Sequence, residues 1–249
     1  MAPSTTGSRA GAYRRYADVY DLVWRAAPYD QFADLCLGAA SRAAVRPERI
    51  VDAACGTCNL VMEFASRGYH AVGFDLSDSM LERAVAKRRA TRLDFDVALG
   101  DLRAAPLADG SADLALSLNA SLNYLLETDE VVAALSHLRR ITAPDGVVVV
   151  EPLAARFIHQ GYDPGRHVRD DGFRMDASHE LHGDLLVERL EWTVEGVEGA
   201  ESYCQRYYDD EQFEAMMGAA GLVVVERLPM YPFIEAEPAR GRMLWVALP

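Results

Sequence analysis

From residue 50 to residue 151 the chain alternates short apolar runs with amphipathic stretches, and few folds accept that rhythm. Residues 50–54, 70–74, 93–99, 112–118 and 147–151 read as strands of continuous Val, Ile and Leu character. Residues 59–67, 78–89 and 129–141 between them read as helices, with Ser77 as a cap. Strands apolar on both faces and separated by helices belong to a parallel sheet covered on both sides. The expected architecture is a doubly wound α/β fold.

The flanks read differently. Residues 1–12 are small and polar, without the apolar stretch of a secretory signal, and are expected to be a disordered tail. Residues 13–45 are expected to be helical, broken at Pro28. Tyr13, Tyr16 and Tyr20 share one face there, which suits a packing helix or a lid over a pocket. After Pro152, residues 173–180, 185–194 and 201–208 alternate apolar with polar, with turns at Gly183-Asp184 and at 196–199. That pattern predicts an antiparallel cap. A helix over 210–220 and a hairpin of 222–228 with 242–248 close the chain. The expected division is tail 1–12, helical lid 13–46, core 47–152, cap 153–208, and a terminal helix and hairpin, 209–249, that complete the core sheet.

Charge and cysteines narrow the function. The net charge is -13 and the basic clusters are short, so nucleic acid is not an expected partner. No apolar run reaches the ~20 residues of a membrane span. Four scattered cysteines make no secreted disulfide scaffold, and a cytoplasmic protein is expected. Whether it forms a homodimer stays open.

The turn after the first strand, VDAACGTCNL at 51–60, is the candidate binding loop. Ala53, Ala54, Gly56 and Thr57 let a ligand approach the backbone. The loop has one glycine and no P-loop lysine, so it suits a nucleoside without phosphates better than a dinucleotide. Asp75, ending the second strand, can accept from ribose hydroxyls, and Asp101 with the Leu102 amide can meet an adenine. Cys55 and Cys58 form a C-x-x-C, for which a redox or metal role is the lesser reading, since Asp75 and Asp101 fit no dithiol chemistry.

Asp52-x-x-Cys-Gly-Thr57, Asp75 and Gly100-Asp101 resemble the successive motifs of class I S-adenosylmethionine (SAM) methyltransferases. Tyr20-Asp-Leu-Val, Val147-Val-Val-Val-Glu-Pro152 and Ala219-Ala-Gly221 are most similar to the N-methyltransferases that act on amino sugars. The resemblance runs over roughly 13–152, with the cap and hairpin in the usual order. It implies a seven-stranded, mostly parallel sheet with SAM as cofactor. It also implies a cofactor set of Tyr20, Tyr29, Asp52, Ala54, Gly56, Asp75, Leu76, Met80, Asp101, Leu102 and Leu118. The family normally has glycine at Cys58, whose thiol is expected to face the methionine end of the cofactor.

Tyr124 stands where the amino-sugar enzymes carry a histidine, and Tyr13 lies one residue from their acceptor-contacting tyrosine. With Asn119 these form the candidate catalytic set. A phenol is a poor base at neutral pH but orients an amine. Asn119 and Asn123 are read as ligand contacts or as turn caps. His159, His167, His179 and His182 are each weak candidates for a base, whereas His137 is expected to be solvated. Glu151 is a candidate acceptor contact. No Asp-Asn pair follows the fifth strand, so no metal is expected. The leading function is methyl transfer to a nitrogen, less readily an oxygen, of a small molecule in secondary metabolism. Two alternatives stay open: cyclisation or aminocarboxypropyl transfer releasing methylthioadenosine, and a non-catalytic binding protein.

Overall fold

The computed structural model describes residues 13–159, 168–170, 172–230 and 241–249. The expected tail and His167 lie outside the described residues.

The predicted alternation is present. In chain order it runs β1 (Arg49–Ala53), α3 (Asn59–Ser66), β2 (His70–Asp75), α4 (Asp78–Thr91), β3 (Asp96–Leu99), β4 (Ala112–Ser117), α5 (Thr128–Ile141) and β5 (Thr142–Val150). Two helices precede it, α1 (Ala17–Val23) and α2 (Tyr29–Arg42), with Pro28 at the break. The 7-stranded sheet has the order β10-β11-β5-β4-β1-β2-β3, where β10 is Val223–Pro229 and β11 is Met243–Leu248. The five strands from β5 to β3 are parallel, and β11, antiparallel to both β5 and β10, is the one strand of this sheet that runs the other way. The order reverses between β1 and β4, and a crevice at such a switch point is where this fold binds ligands.

Strand alternation explains the two cores. In β5 and β11, Val148, Val150, Trp245 and Ala247 pack with α5 and with α7 (Asp210–Ala219). Val147, Val149, Leu244 and Val246 turn to the other face, with α2 and α3. The helices carry the signals that start them. Ser77 accepts from the Met80 amide, with Asp78 in the first turn of α4 and Arg88 and Arg89 in its last. Asp209 and Gln212 form a capping box on α7.

A second, 4-stranded antiparallel sheet caps the core: β6 (Val168–Asp170), β7 (Phe173–His182), β8 (Leu185–Val194) and β9 (Val197–Arg206). Its inner face, with Met175, Leu190, Trp192 and Tyr203, packs on Tyr16, Ala17 and Val19. Two expectations are corrected. The turn before β9 is two residues, Glu195 and Gly196, both left-handed, so the strand starts at Val197 rather than 201. Pro144-Asp145-Gly146 is not a turn ahead of β5. It is a bulge inside it, where pairing with β4 jumps from Ala112↔Thr142 to Leu114↔Val147.

Trp245 is fully buried against Phe213, ring centroids 5.2 Å apart, with the Arg227 guanidinium 3.9 Å from its ring. Trp245→Ala is expected to lower the unfolding free energy by ~3–5 kcal/mol, read by urea denaturation; a loss below ~1 kcal/mol would show that the hairpin does not complete the core.

Candidate active site

The loop between β1 and α3 is shaped by its backbone. Ala54, Gly56 and Cys58 all have φ near +60°, and the amides of Ala54 and Cys55 donate to the Phe74 carbonyl at 2.8 and 3.1 Å. Only glycine adopts that conformation freely, so the two non-glycine residues hold local strain of the kind found at functional turns. Asp75 then clamps the loop. Its Oδ2 accepts the Gly56 amide at 2.8 Å and its Oδ1 accepts the Ser77 amide at 2.8 Å. Burial pushes the Asp75 carboxyl up, and the Ser77, Gly56 and Leu76 amides pull it back.

Asp52 is the second acid of this corner. Its side chain belongs to a residue only 6% exposed, and no described residue donates to it. Burial, with the Asp75 charge beside it, raises its pKa to about 7. A buried carboxylate without a donor, next to a second one, calls for positive charge and for hydroxyl donors. SAM supplies both, and the chain's own residues therefore fit it.

Other predicted residues fall into place unevenly. Met80 and Leu118 are buried near the corner, while Leu76 is 40% exposed. Asp101 follows β3, but both its oxygens are engaged by Arg103, with Nη2 at 2.6 Å, and Arg103 also reaches Glu130. An adenine amino group would share Asp101 with that guanidinium. Tyr29 meets Asn59, its hydroxyl accepting from Nδ2 at 3.1 Å.

Cys58 departs from expectation. A left-handed φ reverses the direction of Cβ, and the fully buried thiol turns into the core, 3.3 Å from the Cys55 sulfur. It does not face outward to a ligand. Gly73 on β2 makes room: a Cβ there would lie 2.7 Å from the Cys55 sulfur and 2.9 Å from that of Cys58. Burial, chiefly, drives the Cys55 thiol well up, the opposite of what a dithiol redox centre requires. Among the described residues, no cluster of His, Cys, Asp and Glu is placed to hold a metal ion.

The end of β4 lies beside this loop, because β4 pairs with β1 in the sheet. Asn119 and Ala120 are both left-handed, and the Asn119 amide donates to Glu151 Oε2 at 2.7 Å. Glu151 is fully buried and ion-paired with Arg242, whose guanidinium also lies 3.4 Å from Asn119 Oδ1. Glu151 thus positions Asn119 through its backbone. Asn123 is neither a ligand contact nor a turn cap. Completely buried, it donates to the Leu153 and Arg206 carbonyls at 3.1 and 2.6 Å and accepts the Leu153 amide at 2.8 Å, tying cap to core.

Tyr124 sits in a 3-10 turn, Ser121–Tyr124, and its hydroxyl meets that of Tyr13. Tyr13 stacks on Tyr203 of the cap, centroids 5.1 Å apart, and Tyr124 stands edge-on to both. Glu201 anchors this end of the chain by accepting the Tyr13 and Tyr16 amides. Burial, the first cause in each case, raises all three phenols well above 10. They stay protonated at any physiological pH. His179 and His182 lie three apart on β7, hence on opposite faces, as expected.

Sequence reasoning missed Tyr203, Glu201, Arg242, Asp21 and Lys87. Asp21 follows Tyr20 in a quoted motif, and Tyr203 stands in an alternating strand. The others carried no local signal.

Residues 50–146 match the family model described as a methyltransferase domain. A putative methyltransferase of Bacillus subtilis, YqeM, is 31% identical over 141 residues, which are 56% of this chain and 54% of that protein, so the chain spans about half of that relative. The dTDP-3-amino-3,4,6-trideoxy-alpha-D-glucopyranose N,N-dimethyltransferase of Streptomyces venezuelae is 29% identical, covering 94% of this chain and 98% of that protein. The crystal structure of Streptomyces venezuelae DesVI superposes with a TM-score of 0.75 at 27% identity, over 94% of this chain and 98% of that one.

Two outcomes are expected. In the ligand-free protein, the stability tied to neutral Asp52 is full below pH ~4 and is lost as pH rises through about 7. The wild-type melting temperature should therefore fall between pH 5 and 7.5 relative to Asp52→Asn, each pH unit being worth at most ~1.4 kcal/mol; parallel profiles would contradict this. Arg242→Met strands the buried Glu151 charge and is expected to cost ~3–5 kcal/mol in chemical denaturation, with much of the loss recovered in Glu151→Gln/Arg242→Met.

Proposed function

We propose that this chain is a class I SAM-dependent methyltransferase and that it methylates a nitrogen of a small acceptor of the amino-sugar class. The observation that carries this reading is the Tyr13, Tyr124 and Tyr203 cluster, closed over the end of β4 by the cap. Methylating a hydroxyl requires removal of a proton from a group of high pKa. These phenols, held protonated by burial, are unsuited to that task. An amine that arrives neutral attacks with its lone pair and needs no base beforehand. It then becomes a cation, and aromatic faces attract cations.

When bound, SAM supplies an electrophilic methyl group on a positively charged sulfur. Asp75 and the amide-lined loop at Ala54 and Gly56 would hold its ribose side, and Asp52 would supply compensating charge. Tyr20, Tyr29, Met80 and Leu118 would line the same cofactor space, with Asp101, Leu76 and Leu102 toward the base. Tyr13 and Tyr124, with Asn119, would orient the acceptor. Orientation is the main contribution available to such a site, and in favourable systems it is worth roughly 7–11 kcal/mol. In this reading residues 13–46 act as the lid, 47–152 hold the cofactor, 153–208 cap the acceptor, and 209–249 complete the sheet. Similarity to the Streptomyces venezuelae enzyme covers 94% of this chain, cap included, and supports an acceptor of the same chemical class from secondary metabolism.

No observation favours another use of the cofactor. Of Cys58, Asn119 and Asn123, which would stand near the methionine end in such a reaction, Cys58 and Asn123 are turned into the structure.

Incubation with SAM and a 3-amino nucleotide sugar is expected to yield S-adenosylhomocysteine and a methylated amine. The matching 3-hydroxy sugar is expected to stay unmodified, and Tyr124→Phe to lower kcat/KM at least tenfold. Methylthioadenosine as the adenosyl product, or preferential methylation of the hydroxyl sugar, would overturn the reading.

A further inference from the structure

The cofactor loop is held from two sides. Asp75 takes the Gly56 amide on one. On the other stands a polar knot that the proposed mechanism does not use. Lys87 on α4 donates to Asn59 Oδ1 at 2.6 Å, to Thr57 Oγ1 at 2.9 Å and to Asp21 Oδ1 at 3.1 Å. An ammonium has three donors, and all three are spent here. Thr57, itself fully buried, donates to Asp21 Oδ1 at 2.7 Å, and Asn59 Nδ2 donates to the same oxygen at 3.0 Å. Three helices and the loop thus converge on one cation.

α1 is held by the cap on one side, through buried Ala17 and Val19, and meets this knot on the other. It has seven residues and no side-chain cap, and an isolated helix that short is unstable in water. It must be held by its neighbours. Arg83 and Lys87, one turn apart on α4, face Asp18 and Asp21 on α1. The Arg83–Asp18 pair is more than half exposed on both sides, where an ion pair contributes little. The Lys87 side chain is only 23% exposed and fully hydrogen-bonded. Burial lowers its pKa, and Asp21 opposes that shift. Asp21 is next to Tyr20, whose ring lies over Gly56; a Cβ added to Gly56 would be 3.9 Å from its Cζ. Fixing Asp21 therefore fixes Tyr20 above the loop.

We propose that Lys87 is a positioning residue for cofactor binding, gathering Asp21, Thr57 and Asn59 so that α1 is docked, with Tyr20 in place, before SAM arrives. The role goes beyond the choice of acceptor and does not depend on it.

Lys87→Met and Asp21→Ala test it by hydrogen exchange on the ligand-free protein and by calorimetric SAM titration. Amide exchange over residues 17–23 should accelerate at least tenfold in either variant, with β1, β4 and β5 unchanged. SAM affinity should fall at least tenfold, and the double variant should be no worse than the poorer single one. With any acceptor that is turned over, KM for SAM should rise while kcat holds within about twofold. Unchanged α1 exchange in Lys87→Met, wild-type SAM affinity, or additive losses in the double variant would overturn the proposal. So would accelerated exchange across the whole sheet, which would mark Lys87 as merely structural. Failure to methylate amines would count against the acceptor reading alone and leave the exchange result standing.

Discussion

The Asp75 carboxylate is the joint on which the site turns. It ends β2, accepts the Gly56 amide from the β1 loop, and accepts the Ser77 amide that opens α4. Three elements of the sheet's switch point are therefore referenced to one side chain. The strained left-handed residues Ala54 and Cys58 are tolerable because that clamp, and the Phe74 carbonyl beside it, over-determine the loop. Asp52 sits deeper, buried and without a donor among the described residues. In the proposed reading, the positive charge of the cofactor would offset the cost of ionising this buried acid beside Asp75.

The loop and the end of β4 present opposite chemistry. At the loop, acidic groups await charge. At the end of β4, the groups facing one another are phenols kept neutral by burial. In the proposed reaction, methyl transfer to an amine would move positive charge from sulfur to nitrogen, away from the carboxylates and toward the aromatic faces. Alignment and exclusion of water are then the main tasks left to the protein. The Glu151–Arg242 pair and Asn123 serve alignment from behind, fixing Asn119 and seating the cap.

Much of this was legible in the sequence for a physical reason. A strand buried on both faces must be apolar throughout, so β1, β2, β4 and β5 announced themselves, as did the acids at their ends. Other features were hidden because they depend on backbone sign or on distance. The thiol of Cys58 points inward from a left-handed residue into the space that Gly73 leaves. The β8–β9 turn was misplaced because a glutamate, Glu195, takes a left-handed position normally given to glycine. Pro144-Asp145-Gly146 has the composition of a turn, and only pairing with β4 reveals a bulge. Lys87 meets partners 28, 30 and 66 residues away, so no local pattern marked it. Asp101 was read as available, though Arg103, two residues on, carried the contrary signal.

The most direct measurement is calorimetric titration of SAM into the wild-type protein and Asp75→Asn at fixed pH and salt. If Asp75 accepts from the ribose hydroxyls as proposed, its replacement should cost roughly 3 kcal/mol, or about a hundredfold in Kd. Equal affinity of the two proteins would contradict the account, because the corner that organises the loop would then not be the corner that holds the nucleoside.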